Sequence, residues 1–330
     1  MKAEGDDVRS VEFIKEENVI KLIDQRSLPE KLEFFEIRDH IEACFAIKEM
    51  VVRGAPAIGA TAAFAMAQAS VQGKDMKSTA QDLIATRPTA YDLKYAVTKM
   101  LDSRDPVNDS IAYCEDTVEK GRMIGENGEG LIKNGSTVMT HCNAGALATV
   151  DYGTALAPIR LAHARGKNMR VLVSETRPRL QGAKLTAWEL ANEGIEHYII
   201  ADGASGHFMK EGKVDCIIVG ADRIVSNGDF ANKIGTYEKA VLARENGIPF
   251  YVAAPVSTFD FSLKSGKDIR IEQRPEDEVL FLAGKRIAPQ ASRALNPAFD
   301  VTPARYVSAF ITEYGILSPD RITEMPAKVK

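Results

Sequence analysis

The sequence predicts an α/β fold: a C-terminal doubly wound, mainly parallel, Rossmann-like sheet, preceded by an N-terminal domain of small antiparallel sheet plus helices. After Asn134-Gly135, short apolar runs at 137–142, 170–174, 197–201, 215–219 and 249–253 alternate with helical stretches, the signature of parallel strands joined by crossovers. From Val11 to Phe35, shorter alternating runs are separated by Glu16-Glu17-Asn18 and Ser27-Leu28-Pro29-Glu30, which predicts antiparallel strands. A chain of 330 residues accommodates two domains, and the change of rhythm divides it into 1–134 and 135–330.

Each element has a local reason. Asp39, with Glu42 three residues on, opens a helix whose expected inward face is Ile41, Cys44, Phe45, Ile47 and Val51. Pro56 suits the first turn of the next helix, and the alanine-rich stretch 55–67 is too short to span a bilayer, so it reads as a buried helix. Further helical patterns run over 89–101, with Leu93, Val97 and Met100 on one side, and over about 109–132. In the second half, crossovers are expected at 153–165, 183–193, 206–211 and 235–246, with Gly194 and Gly247 as helix stops.

Composition narrows the function. Hydrophobic residues make up 45% and charged residues 27%, enough for a sizeable core, and a formal net charge of −4 supplies no general field for nucleic acid or an anionic membrane. The four cysteines, Cys44, Cys114, Cys142 and Cys216, lack CxxC spacing, which argues against zinc and against a disulfide framework. The acidic N-terminal stretch has no apolar core, so no secretory signal is read there, and the expectation is cytoplasmic. A parallel sheet first suggests a dinucleotide, but Gly125, Gly128 and Gly130 precede the first strand instead of following it, and no GxxxxGK[ST] occurs. No metal-ligand spacing such as HExxH offers a replacement, so no cofactor and no metal are expected and the chemistry falls to side chains.

Cys142 and Asp222 each stand where an apolar run ends, and ligands of open parallel sheets sit at the carboxyl ends of strands. Taken singly, a free cysteine is more often a small buried hydrophobe and an aspartate a turn cap. Arg53-Gly54-Ala55-Pro56 puts an arginine and free amides at a helix start, an arrangement that suits phosphate although it is also ordinary capping. Arg87 precedes Pro88-Thr89 in a similar, weaker setting, and Gln181 closes Arg177-Pro178-Arg179-Leu180 on the rim of the sheet. Asn232 and Lys233 fall in 227–236, which reads as a loop leading into a helix, with the lysine at the helix start. His141 neighbours Cys142 on a strand, so the two side chains point to opposite faces, and the histidine reads as structural.

Together the segments around Val52-Arg53-Gly54-Ala55-Pro56, Arg87-Pro88-Thr89-Ala90, Thr140-His141-Cys142-Asn143-Ala144-Gly145, Glu175-Thr176-Arg177-Pro178, Leu180-Gln181-Gly182, Gly220-Ala221-Asp222-Arg223, Ala231-Asn232-Lys233-Ile234-Gly235 and Asn296-Pro297-Ala298-Phe299-Asp300 resemble the methylthioribose-1-phosphate isomerase family. That family shares a superfamily with ribose-1,5-bisphosphate isomerase and translation initiation factor regulatory subunits. The resemblance spans nearly the whole chain. It implies that Cys142 and Asp222 are a catalytic pair and that Arg53, Gly54, Ala55, Arg87, Gln181, Asn232 and Lys233 bind a sugar phosphate substrate. It further implies a cofactor-free aldose-ketose isomerase of methionine salvage, working as a homodimer. Asp222, kept protonated by a desolvated pocket, would act as general acid at the ring oxygen, and Cys142 would serve as base in an enol route or stabilise the transition state of a hydride shift. The chain departs from the family pattern at Val150-Asp151, Tyr91-Asp92 and Gln273, and Asp151 leaves open the group tolerated at carbon 5. Isomerases of 5-deoxyribose 1-phosphate or ribose 1,5-bisphosphate, and a non-catalytic subunit of the same fold, are the alternatives.

Overall fold

The computed structural model describes residues 1–88 and 90–328. Val11–Ile14, Val19–Ile23 and Phe34–Ile37 form a three-stranded antiparallel sheet with Val19–Ile23 in the centre. Asp39 caps the helix His40–Lys48 by accepting from the amides of Ile41 and Glu42. The inward face differs from the one expected: Ala43, Ala46 and Ile47 are buried, whereas Ile41 and Phe45 are exposed. The helix meets the core through its small residues, and Phe45 stacks on Phe35 of the neighbouring strand at its outer side.

The helix Ala55–Val71 is buried on all sides from Ala57 to Ala69. Its alanines allow Tyr91–Leu101 and Pro106–Gly128 to pack closely around it, with Leu93, Val97 and Met100 turned inward as the spacing predicts. Thr89, where the sequence reading begins this helix, lies outside the described residues. A helix over Met76–Thr86 goes unpredicted because it buries only Thr79, Ala80 and Leu83 and so carries little apolar stripe. Pro106–Gly128 ties two cores together, since Tyr113 and Cys114 belong to the helical core and Ile124 packs with the sheet.

The main sheet has seven strands. In spatial order these are Gly315–Leu317, Ala309–Thr312, Phe250–Ala253, Cys216–Val219, Thr137–His141, Arg170–Ser174 and His197–Ile200. All pairings are parallel except that of Gly315–Leu317. Taken in chain order the six parallel strands lie 3-2-1-4-5-6, the doubly wound order whose switch point falls between the first and fourth. Those two are Thr137–His141 and Cys216–Val219, paired through Val138 and Met139 against Cys216 and Ile217. Ala309–Thr312 and Gly315–Leu317 extend the sheet beyond the five strands the sequence reading identifies.

A second sheet of four strands, Phe259–Asp260, Arg223–Val225, Phe230–Lys233 and Phe299–Thr302, stands at the carboxyl end of the first. It corrects the reading of 227–236 as a loop into a helix. Lys233 ends a strand, and the helix begins only at Thr236, after Gly235 in the left-handed region. The strand forms because Phe230 is fully buried against Phe250 and the backbone is paired on both sides, to Arg223–Val225 and to Phe299–Thr302. Among the described residues, no helix is long and apolar enough to cross a membrane.

Candidate active site

The strand Thr137–His141 ends against the loops of its neighbours, and Cys142 follows it with φ +64°, in the left-handed region. The Cys142 amide donates to Thr176 Oγ1 at 2.8 Å, and Thr186 Oγ1 donates to the Cys142 carbonyl at 2.6 Å. His141, buried beneath, has Nε2 2.8 Å from the Ile234 carbonyl. A carbonyl only accepts, so Nε2 carries the proton. Burial, reinforced by Lys239, pushes this imidazole down to about 3, which keeps it neutral and structural.

Asp222 follows the neighbouring switch-point strand, and its amide donates to Ala231 O at 2.9 Å, tying it to the second sheet. Asp222 is solvent-accessible, and Arg53 and Lys233 are partly so, where they line one cavity. Burial raises the Asp222 carboxyl above the usual range, Glu272 adds to that, and Lys233, Arg87 and Arg53 pull the other way. The cavity is lined by Cys142, Asp222, Arg53, Gly54, Ala55, Arg87, Gln181, Asn232 and Lys233, so the fold collects all nine sequence-derived positions at the switch point.

Gly54 has φ +92°, and a Cβ there would lie 2.4 Å from the Ala148 Cα, so only glycine lets the helix start approach so closely. The first turn of Ala55–Val71 carries no side-chain cap and no acidic residue, which leaves backbone amides for an anion. Arg53 Nη2 donates to Asn143 Oδ1 at 3.2 Å, while its buried Nε and the buried Gln181 Oε1 have no hydrogen-bond partner among the described residues. Lys233 Nζ donates to Ala298 O at 2.9 Å and lies 4.6 Å from the centre of the Phe299 ring. Burial presses its ammonium below the ordinary lysine range against the pull of Cys142 and Asp222. Asn232 is held by a 3.0 Å bond from Nδ2 to Thr236 Oγ1. A half-buried thiol and an acid thus line one cavity with unspent donors and several cations, an arrangement suited to proton transfer on a small anion.

A model of the initiation factor 2 subunit family matches residues 51–319. The chain belongs to that family. It is 52% identical over 323 residues to a methylthioribose-1-phosphate isomerase of Acetivibrio thermocellus, covering 91% of this chain and 94% of that one. The crystal structure of 5-methylthioribose 1-phosphate isomerase from Pyrococcus horikoshii OT3 superposes with a TM-score of 0.90 at 41% identity, over 98% of this chain and 97% of that one. A structure from A. fulgidus described as translation initiation factor eIF-2B, subunit delta, gives 0.85 at 42% identity over 97% and 99%. Relatives at about half identity place the chain among the isomerases of the family.

The cavity also holds residues that sequence reading passed over. Glu272 and Arg274 come from a stretch with little regular structure, and they sit beside Arg87 and Arg179 in a charged rim. Arg274 bonds Glu272 at 3.1 Å and Glu278 at 2.6 Å, Arg179 reaches Glu278 at 2.8 Å, and Arg87 lies 3.9 Å from Glu272. Burial opposes ionisation of Glu278, yet the bonds from Arg274 and Arg179 bring its carboxyl down to about 2. Arg87 and the Arg177-Pro178-Arg179 turn gave the sequence signals for this rim, and Glu272, Arg274 and Glu278 gave none. Asp151, which left open the group tolerated at carbon 5, does not line the cavity: its carboxylate takes the Met1 amino group at 2.7 Å and Arg160 at 3.5 Å.

Proposed function

We propose that the chain converts 5-methylthioribose 1-phosphate to 5-methylthioribulose 1-phosphate, with Asp222 as general acid and Cys142 as base or transition-state stabiliser. The observation that carries this reading is the meeting of Cys142 and Asp222, from the two switch-point strands, on one cavity with Arg53 and Lys233. Phosphate on the anomeric oxygen blocks ordinary ring opening, so the ring oxygen needs a proton as its bond to carbon 1 breaks. A carboxyl raised by burial holds its proton to higher pH than an ordinary one and is suited to give it. Arg53, Lys233, Arg87, Gln181, Asn232 and the uncapped amides after Gly54 would hold the phosphate and hydroxyls.

Hydrogen then passes from carbon 2 to carbon 1 while the carbon 2 hydroxyl gives its proton to the carboxylate that ring opening left on Asp222, which forms the ketone and restores the acid. Run in heavy water, an enol route through the Cys142 thiolate puts solvent deuterium at carbon 1, and a hydride shift leaves carbon 1 free of it. The deciding assay offers the purified chain 5-methylthioribose 1-phosphate, 5-deoxyribose 1-phosphate and ribose 1,5-bisphosphate without added cofactor. Turnover of the first is expected to lead, and a clear preference for either of the others would overturn the substrate. Cys142→Ala and Asp222→Asn should each lower kcat about 10²- to 10⁴-fold with the fold retained. Near-normal turnover in either removes that residue from the mechanism.

The same reading includes a homodimer in a reducing, cytoplasmic setting and two structural units meeting near residue 134. The outward-facing Tyr198 and Ile199 on the edge strand His197–Ile200 support self-association, and four free thiols suit such a compartment. Light scattering should return twice the mass of one chain.

A further inference from the structure

We propose that Thr176 and Thr186 are positioning residues for Cys142, their hydroxyls clamping the peptide groups on both sides of it so that its thiol is presented to the substrate. The inference rests on the reading of Cys142 as a reacting residue. A non-glycine residue in the left-handed region is uncommon, and there are two here, Cys142 at φ +64° and Thr176 at φ +68°, joined by a single hydrogen bond. Left to itself, residue 142 would relax to the extended conformation of the strand it follows and carry its side chain elsewhere.

Two neighbouring segments prevent that. Thr176 is fully buried, and its one hydroxyl proton goes to Ser174 O at 2.9 Å, which leaves a lone pair for the Cys142 amide at 2.8 Å. Thr176 is itself fixed from behind by Asp202, whose carboxylate accepts from the Thr176 amide at 2.8 Å, from the Arg177 amide at 2.7 Å and from the Ser174 hydroxyl. Thr186, also fully buried, donates to the Cys142 carbonyl and accepts from Asn143 Nδ2 at 3.2 Å, and Asn143 is anchored to Glu189 at 2.8 Å. Thr186 closes the π-helical turn Gly182–Thr186, so the local helix irregularity sets where its hydroxyl stands. Both backbone polar groups of Cys142 are therefore spent on side chains that reach it from the strand-end loop and the turn beside it.

Thr176→Val and Thr186→Val keep the shape of the side chain and delete the hydroxyl. Each is expected to lower kcat at least ~10-fold while KM stays within about twofold, because positioning is expressed at the chemical step. Alkylation of Cys142 by iodoacetamide, read site by site by mass spectrometry against Cys44 in the same sample, should change by at least ~3-fold, as thiol reactivity follows its surroundings. Thr176→Ser and Thr186→Ser should restore both readouts. Valine variants that lose melting temperature but keep kcat and the alkylation rate overturn the proposal, as do serine variants as impaired as the valines. Should Thr176→Val not fold, Thr186→Val and the serine pair decide. Cys142→Ala in the same assay separates the two levels: an active Cys142→Ala enzyme overturns the reading beneath, whereas an inactive one beside normal valine variants overturns this inference alone.

Discussion

In the proposed reaction Asp222 is the general acid, and its neighbours set the pH range over which it could serve. A general acid works in its protonated form, so turnover should fall as pH rises through its pKa, and whatever raises that pKa carries activity further into the alkaline range. Burial and Glu272 raise it; Lys233, Arg87 and Arg53 lower it. Glu272→Gln should therefore move the alkaline limb of kcat to lower pH, and Lys233→Met should move it up, each by on the order of half a unit. A kcat-pH series on the two variants checks both signs, and limbs that move together, or in the reverse sense, would assign the limb to another group. The raised carboxyl follows from placing an acidic residue at the closed end of a buried strand, which the run Cys216-Ile217-Ile218-Val219 made legible. The opposing cations did not follow from local sequence in the same way: Arg53 and Arg87 lie more than a hundred residues away, and chain folding alone brings them there.

Among the elements, the turn after Arg170–Ser174 has the least spare room. A Cβ on Gly182 would stand 1.8 Å from the Ser174 carbonyl oxygen, a backbone atom that cannot swing aside. Gly182→Ala should thus cost about 3 kcal/mol or more and displace the turn that carries Thr186. Gly130→Ala, at an exposed site with nothing within 4 Å, should stay within about 0.5 kcal/mol. Urea midpoints of the two variants test the contrast, and equal midpoints would contradict it. Legibility at this scale follows burial. Parallel strands covered on both faces read as unbroken apolar runs, and Arg170–Ser174 has the predicted bounds. Phe230–Lys233 lay between turn formers, and only two of its residues are apolar because Asn232 and Lys233 serve the cavity. Ala309–Thr312 is wholly buried and carried a readable signal that went unused. Glu272 and Arg274 had no period to read, since tertiary closure alone positions them.

At the scale of the molecule, the helical layer must bury what the sheet does not, and it encloses a charged group in doing so. Asp92, in the first turn of Tyr91–Leu101, is 5% exposed beside the buried helix Ala55–Val71. Burial outweighs the pull of Lys120 and carries its carboxyl up to about 7. The unfolded chain releases that proton near pH 4, so between about pH 4 and 7 the folded state binds the extra proton and stability falls as pH rises. Above pH 7 the penalty is complete, and a shift of roughly three units corresponds to up to about 4 kcal/mol. Asp92→Asn removes a charge from the buried site without changing its shape, so it should stabilise the protein at pH 8 and have little effect at pH 4.5. Chemical unfolding of the variant and the parent at both pH values makes the comparison, with the other titrating groups cancelling in the difference. A stability gain of the same size at pH 4.5 and pH 8 would show that folding does not raise the Asp92 pKa, and would assign the gain to something other than the buried charge.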